Sequence, residues 1–319
     1  MSSWILLQIL IGLALLSFCG DALVRGSIKA SLKFSISPLI IGLTVVAFGT
    51  SAPELVVAVQ ASLAGLSGLA LGNVIGSNIA NVLLVLGLPI LFFSLNIGNS
   101  DSESDFWIMF VSTIVLIGIL LNGIISYWHG IFLIFFQIII LYRSYRLSST
   151  SEEVLDKSVA EVSSEASQGK SIKVVDFVLL ILVGIVGLPV GAHYLIEGAT
   201  GLAKSFSVSE EIIGLSVVAI GTSLPELATS FSAVWRKQGE VVLGNIIGSN
   251  LFNILFIVGI ASLISPLEFK EANLLVSLSY LFISLVLFWL LISKSRVANR
   301  LWGFIFVSVY ASYVWFLLV

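Results

Sequence analysis

"AFGTSAPE", residues 47–54, sets a glutamate inside a long apolar run, and "AIGTSLPE", residues 219–226, repeats the phrase almost letter for letter. A carboxylate in such surroundings is costly, so its appearance twice at matching places calls for a reason. Of 319 residues, 58% are hydrophobic and only 10% are charged, against roughly a quarter charged in soluble domains. About 20 apolar residues carry a helix across a bilayer. Ten stretches meet that requirement, at 4–24, 38–64, 69–94, 106–122, 124–142, 174–196, 211–235, 241–265, 273–293 and 301–318. The composition therefore specifies an all-α polytopic membrane protein whose first partner is the lipid bilayer.

The opening run, "WILLQILIGLALLSFCG", has the length of a secretory signal, but no basic residue precedes it and Phe18 stands where a small residue is needed before Cys19. It reads as the first spanning helix. Cys19 is the sole cysteine, so no internal disulfide can form. A net charge of −3 offers no footprint for nucleic acid. With ten spans the loops alternate between two faces, and all of the 15 Lys and Arg residues except Lys204 and Lys270 fall on one of them. By the positive-inside rule that face is cytoplasmic. Both termini are then expected outside, in a multi-pass protein of the cell (inner or plasma) membrane.

Residues 148–171, "SSTSEEVLDKSVAEVSSEASQGKS", form the one long polar stretch, rich in Ser and Glu and without an aromatic residue. Too polar to bury a core, it reads as a cytoplasmic linker between a first five-helix half, 1–147, and a second, 172–319. A shift of 172 residues lays "IGLTVVAFGTSAPEL" (41–55) on "IGLSVVAIGTSLPEL" (213–227), and "LGNVIGSNIANVL" (71–83) on "LGNIIGSNLFNIL" (243–255). An odd number of spans per half forces the second copy to enter the membrane from the opposite side. Inverted repeats that match best near mid-helix mark secondary transporters with a site at the bilayer midplane.

Glu54 and Glu226 are the ionisable groups this reading places deep inside spans, where insertion scales set the cost of a central charge at about 2.5–3.5 kcal/mol. A structural explanation exists: Ser51 with Glu54, and Ser223 with Glu226, match the Ser-x-x-Glu capping box, with Pro53 and Pro225 suited to a first turn. Capping accounts for Ser and Pro but leaves an acid at the midplane unexplained. Pro lacks an N–H and Gly tolerates irregular backbone, so the second and seventh spans are expected to break at "GTS", freeing carbonyls near Ala47 and Ala219. These carbonyls, the hydroxyls of Thr50, Ser51, Thr222 and Ser223, and the two carboxylates form an all-oxygen set suited to Na⁺ or Ca²⁺. Neither Cys19 nor His129 nor His193 joins it. In the second phrase Asn73, Ser77 and Asn81 step by four, as do Asn245, Ser249 and Asn253, giving each helix a polar stripe. Gly72 and Gly76, like Gly244 and Gly248, are spaced as GxxxG. They are expected to bring the third and eighth spans together.

Two copies of G-T-S-x-P-E followed by G-N-x-I-G-S-N resemble the α-repeats of the sodium/calcium exchanger branch of the cation/Ca²⁺ antiporter superfamily, especially its prokaryotic members. The resemblance covers essentially the whole chain. It implies ten helices in two inverted repeats and Na⁺/Ca²⁺ antiport through one central site. It further implies that Glu54 and Glu226 bind Ca²⁺ and contribute to Na⁺ sites, with Thr50, Ser51, Thr222, Ser223, Ser77, Ser249 and the Ala47 and Ala219 carbonyls as further ligands. Asn81 and Asn253 occupy the remaining family positions. Some relatives carry Asp at the place of Asn253, so the site here holds two acids only. Helices 1 and 6, rich in small residues such as Gly12, Gly20, Gly184, Gly187 and Gly191, are the expected sliding element. Asp21 and His193, at equivalent places near the ends of those helices, are expected to snorkel to the interface.

Ca²⁺/H⁺ antiport by the same carboxylates is the alternative within transport. An intramembrane hydrolase needs a nucleophile held beside a base, and no repeated motif contains a histidine. No enzyme activity and no cofactor beyond the transported ions is expected, and one chain supplies a complete site as a monomer.

Overall fold

The computed structural model describes residues 3–96, 101–148, 173–206, 221–268, 272–294 and 297–318. The expected linker and the first part of the seventh span, with Ala219, lie outside them. The chain runs through α1 (Ser3–Phe34), α2 (Pro38–Thr50), α3 (Ala52–Leu63) and α4 (Ser67–Phe92). The short strand β1 (Leu95–Asn96), α5 (Asp101–Leu121), β2 (Ile124–Ile125) and α6 (Tyr127–Ser148) complete the first half. The second half holds α7 (Val174–Ser205), α8 (Leu224–Trp235), α9 (Gly239–Ile264), β3 (Leu267–Glu268), α10 (Ala272–Lys294), β4 (Val297–Ala298) and α11 (Arg300–Leu318). Among the described residues eight helices are long and apolar enough to cross a membrane, and the bent pair α2–α3 makes a ninth span. α8 matches α3 under the shift of 172, and the remainder of the expected tenth span lies outside the described residues.

The long spans divide by burial. In α4 and α9 the apolar windows are 78% and 83% buried, against 22–39% in the six other long spans. These two helices therefore form the centre and the others meet lipid. Both α1 and α7 run well past the expected ends at residues 24 and 196. At 1.5 Å per residue the 32 residues of each reach about 48 Å, longer than the hydrocarbon layer. Small residues let this pair approach closely. A methyl on Gly12 would lie 2.6 Å from the Leu195 nitrogen, one on Gly184 2.5 Å from Leu23 Cβ, and one on Gly191 3.0 Å from Leu15 Cβ. Without a hydrophobic drive between helices in lipid, close packing of this kind holds them together.

The halves are joined by reciprocal contacts. Strand β1 pairs antiparallel with β4, and β2 with β3. Shifting β1 by 172 residues gives β3, and shifting β2 by one more gives β4, so the two pairings are the same contact made twice with the halves exchanged. The helix crossings behave alike. A methyl on Gly303 of α11 would lie 2.8 Å from the Gly87 carbonyl oxygen of α4, and one on Gly130 of α6 the same distance from the Gly259 oxygen of α9.

The break falls where the sequence places it. Between α2 and α3 the axis bends by 48° at Ser51, whose φ/ψ of −83/8 is matched by −85/5 at Ser223 ahead of α8. Pro53 and Pro225 then sit in the first turn of α3 and α8, where a missing N–H costs nothing. Two of the GxxxG glycines, those of the second half, take a different neighbour from the expected one. Gly244 and Gly248 of α9 lie directly against the backbone of α2, where a methyl on Gly244 would strike the Leu39 carbonyl oxygen and one on Gly248 the Leu43 carbonyl oxygen. Two amide hydrogen bonds, Asn81 to Asn250 and Asn253 to Asn78, link α4 to α9.

Candidate functional site

The break aims the last turn of α2 and the first turns of α3 and α8 at the polar faces of α4 and α9. Glu54, at the start of α3, receives a hydrogen bond on Oε1 from Ser77 Oγ of α4 at 3.4 Å. Its backbone carbonyl accepts one from Asn73 Nδ2 at 3.1 Å. Glu226, at the start of α8, receives Ser51 Oγ on Oε1 at 3.2 Å. Thr222 stands beside Glu54 and Thr50 beside Glu226, so each acid is approached by the other half's hydroxyls. Thr50 Oγ1 also reaches Asn245 Oδ1 at 3.3 Å and Ser249 Oγ at 3.5 Å on α9. Glu54, Glu226, Thr50, Ser51, Ser77, Ser223, Ser249, Asn81 and Asn253 are all buried, and Thr222 is half-buried.

Capping does not explain the motif. Neither Ser51 nor Ser223 makes a side-chain cap hydrogen bond to its helix; Ser51 instead donates across the halves to Glu226. The Ala47 carbonyl is less free than the expected break would leave it. Its oxygen accepts the Ser51 N–H at 3.0 Å and faces the Thr50 hydroxyl at 3.4 Å, because the last turn of α2 closes before the bend. Ala219 lies outside the described residues.

Four amides complete the cluster. Asn81 Nδ2 donates to Asn250 Oδ1 at 3.1 Å, and Asn253 Nδ2 donates to Asn78 Oδ1 at 3.1 Å. Each bond is the image of the other under the shift of 172. Asn78 and Asn250 are absent from the residues singled out by sequence because they fall outside the i, i+4 stripe. The available signal is the doubled "GSN", which repeats them as faithfully as the serines.

The pattern of unmet hydrogen bonds gives the cluster its chemistry. Among the described residues Glu54 Oε2, Glu226 Oε2, Asn81 Oδ1, Asn253 Oδ1 and Ser223 Oγ are buried without a protein partner, as are two donors of the same cluster, Asn78 Nδ2 and Asn245 Nδ2. Buried polar atoms are rarely left so, since each costs about 1–3 kcal/mol. Here the unmet carboxylate oxygens and the Asn81 and Asn253 oxygens are all acceptors, arranged as matched pairs from the two halves, which is the arrangement a cation satisfies. No group of three or more His, Cys, Asp or Glu side chains suited to a metal occurs among the described residues. Two formal negative charges and neutral oxygens therefore suit a hard cation and not a soft transition metal.

The model of the sodium/calcium exchanger protein family matches residues 4–146 and again 177–319. The chain belongs to the sodium/calcium exchanger family. It is 36% identical over 261 residues to the inner membrane protein YrbG of Escherichia coli, covering 82% of this chain and 80% of that one. It is 32% identical to the putative antiporter CaxA of Alkalimonas amylolytica and 27% identical to the sodium/calcium exchanger MaX1 of Methanosarcina acetivorans, over 97% of each chain in both cases. A solved structure of the sodium-calcium exchanger NCX_Mj, soaked with Na⁺ and Ca²⁺, superposes with a TM-score of 0.83 at 30% identity over 98% of both chains. MaX1 and NCX_Mj are named exchangers and CaxA a putative antiporter, so this member of the family is a membrane transporter of the cation/Ca²⁺ exchange class and not an enzyme.

Proposed function

We propose that this exchanger couples Na⁺ entry to Ca²⁺ extrusion at one central site shared by the two halves. The observation that carries the reading is the set of paired, buried, unpartnered acceptors around Glu54 and Glu226. Two carboxylates balance one Ca²⁺ or two Na⁺, so the ions compete for the same charge, and a site offered to one side at a time converts competition into exchange. Glu54 and Glu226 supply the charge. Thr50, Ser51, Thr222, Ser223, Ser77, Ser249, Asn81 and Asn253 supply neutral oxygens, with the Ala47 and Ala219 carbonyls completing the set as the Thr50 hydroxyl turns from Ala47 to the ion. The hydroxyls beside each acid favour Na⁺ as the coupling ion, because a proton needs no such shell. The MaX1 and NCX_Mj names and the soaking of NCX_Mj with Na⁺ and Ca²⁺ support the same ions here.

Residues 1–147 and 172–319 form the two repeats in a chain that works as a monomer. Residues 148–171 form a cytoplasmic linker, both termini lie outside, and α1 with α7 slides across the fixed cluster to expose it to either face.

The test is uptake of radioactive Ca²⁺ by proteoliposomes loaded with Na⁺ and diluted into Na⁺-free buffer, repeated with a pH gradient in place of the Na⁺ gradient. Uptake is expected to require internal Na⁺ and to fall at least ~100-fold in both Glu54→Gln and Glu226→Gln, a loss of about 3 kcal/mol or more. Uptake driven by the pH gradient and indifferent to Na⁺ would replace the proposal with Ca²⁺/H⁺ antiport.

A further inference from the structure

An amide offers a site two ends of nearly equal shape and opposite polarity. For Asn81 to serve a cation its oxygen must face the ion, and nothing in its own helix turn decides this. The partner at its far end does. Asn81 Nδ2 donates to Asn250 Oδ1 at 3.1 Å, and Asn250 in turn points its own Nδ2 at the Met109 sulfur, 3.5 Å away. A thioether accepts weakly and never donates. Asn250 therefore gains a partner only with its nitrogen toward α5 and its oxygen toward Asn81, and Asn81 only with its nitrogen outward. The chain of three ends with Asn81 Oδ1, a buried acceptor without a protein partner. Asn250 and Met109 are themselves fully buried, so no water competes for the choice. In the second half the chain is one link shorter. Asn253 donates to Asn78 Oδ1, but Asn78 Nδ2 has no partner among the described residues, and the position matching Met109 is Leu281.

We infer that Asn250, oriented by the Met109 sulfur, is a positioning residue that holds the Asn81 oxygen toward the transported cation, whereas the matching Asn78–Asn253 pair has no such anchor among the described residues. The inference rests on the proposed Ca²⁺ site. It gives the two halves different parts: Asn81 is a fixed acceptor, and the unanchored pair can turn both amides together, so that Asn253 presents its nitrogen when no cation is there to meet its oxygen.

The experiment measures the apparent KM for Ca²⁺ and the maximal rate in proteoliposomes for the wild type, Glu54→Gln, Asn81→Leu, Asn250→Leu, Met109→Leu and the doubles of each of the last two with Asn81→Leu. Met109→Leu keeps size and apolarity and is the variant safest for folding. Losing one oriented hydrogen bond is expected to raise KM about tenfold in Asn250→Leu and a few-fold in Met109→Leu, with the maximal rate little changed. In the Asn81→Leu background neither change is expected to raise KM further, because each acts through Asn81. A wild-type KM in Met109→Leu, or full additivity with Asn81→Leu, overturns the inference; if Asn250→Leu does not fold, the Met109 pair decides alone. Glu54→Gln separates the two levels. If it transports like wild type, the Ca²⁺ site itself is misplaced and the inference falls with it; if it is inactive while Met109→Leu equals wild type, only the inference fails.

Discussion

At the scale of the residue, the two halves use the same serine differently. Ser51 Oγ bonds Glu226 at 3.2 Å, whereas its counterpart Ser223 is buried with no partner for its hydroxyl. A buried hydroxyl left unmet destabilises by about 1–3 kcal/mol. Ser223→Ala is therefore expected to stabilise the ion-free protein by about 1 kcal/mol, raising its thermal midpoint in chelator and Na⁺-free buffer, while weakening Ca²⁺ binding roughly five- to tenfold. Ser51→Ala removes a bond already made and is expected to lower that midpoint. Thermal unfolding with and without Ca²⁺ distinguishes the cases; a Ser223→Ala protein with unchanged Ca²⁺ affinity would remove that hydroxyl from the site. The acids, their hydroxyl neighbours and Asn81 with Asn253 are legible in the sequence because an apolar background makes each polar atom conspicuous. Asn78, Asn250 and Met109 are not, since their roles depend on partners far away in the chain, 141 residues for Asn250 with Met109 and 175 for Asn253 with Asn78.

At the scale of the element, the site depends on how closely α2 lies on α9. A methyl on Gly248 would sit 2.5 Å from the Leu43 carbonyl oxygen and 2.6 Å from Leu43 Cα, both backbone atoms that cannot rotate away. Gly248→Ala must push α2 outward, and Thr50, whose hydroxyl lies 3.5 Å from Ser249, moves with it. Overpacking of this kind costs about 1–3 kcal/mol. The expected result is a lower thermal midpoint together with a large loss of Ca²⁺ uptake, while retention of both would mean that α2 can shift without disturbing the cluster. The break at Ser51 is readable because Gly, Ser and Pro act locally. The wide π turns over Gly42–Val46, Asn81–Leu86 and Phe252–Ile257 are not. No composition marks a π turn, which forms where packing demands an extra residue, often beside a functional site. Two of the three begin at or next to Asn81 and Asn253, turning those amides inward.

At the scale of the whole molecule, alternating access requires the seam between the α1–α7 pair and the central helices to open at one end while closing at the other. The seam is not symmetric. Gly20 of α1 lies against the Ala228 carbonyl of α8, where a methyl would stand 3.1 Å from the oxygen. One residue on, Asp21 accepts from Arg236 Nε at 2.6 Å and from Ser232 Oγ at 3.3 Å. Position alone suggests that Asp21 snorkels to the interface; it is fastened to the end of α8 because Arg236 comes within reach when the seam is shut. Under the shift of 172 the partners would be His193 and Ala64, and His193 pairs with Glu197 on its own helix instead, at 3.4 Å. Among the described residues, then, an ion pair across this seam favours closure at the basic end and none matches it at the other. Asp21 and Arg236 keep about a third of their side-chain surface exposed (33% and 36%), so solvent screening limits the coupling to about 0.5–1 kcal/mol. That energy moves a two-state population roughly two- to fivefold. Asp21→Asn is accordingly expected to raise the apparent Ca²⁺ affinity at the basic face and lower it at the opposite face, up to that factor. Arg236→Gln should do the same, and the double variant no more than either alone. Initial rates from membrane vesicles of both orientations read the two affinities. If the affinities move together, or neither moves, the pair braces the seam without biasing it, and the preference between the two faces must arise elsewhere along the α1–α8 contact.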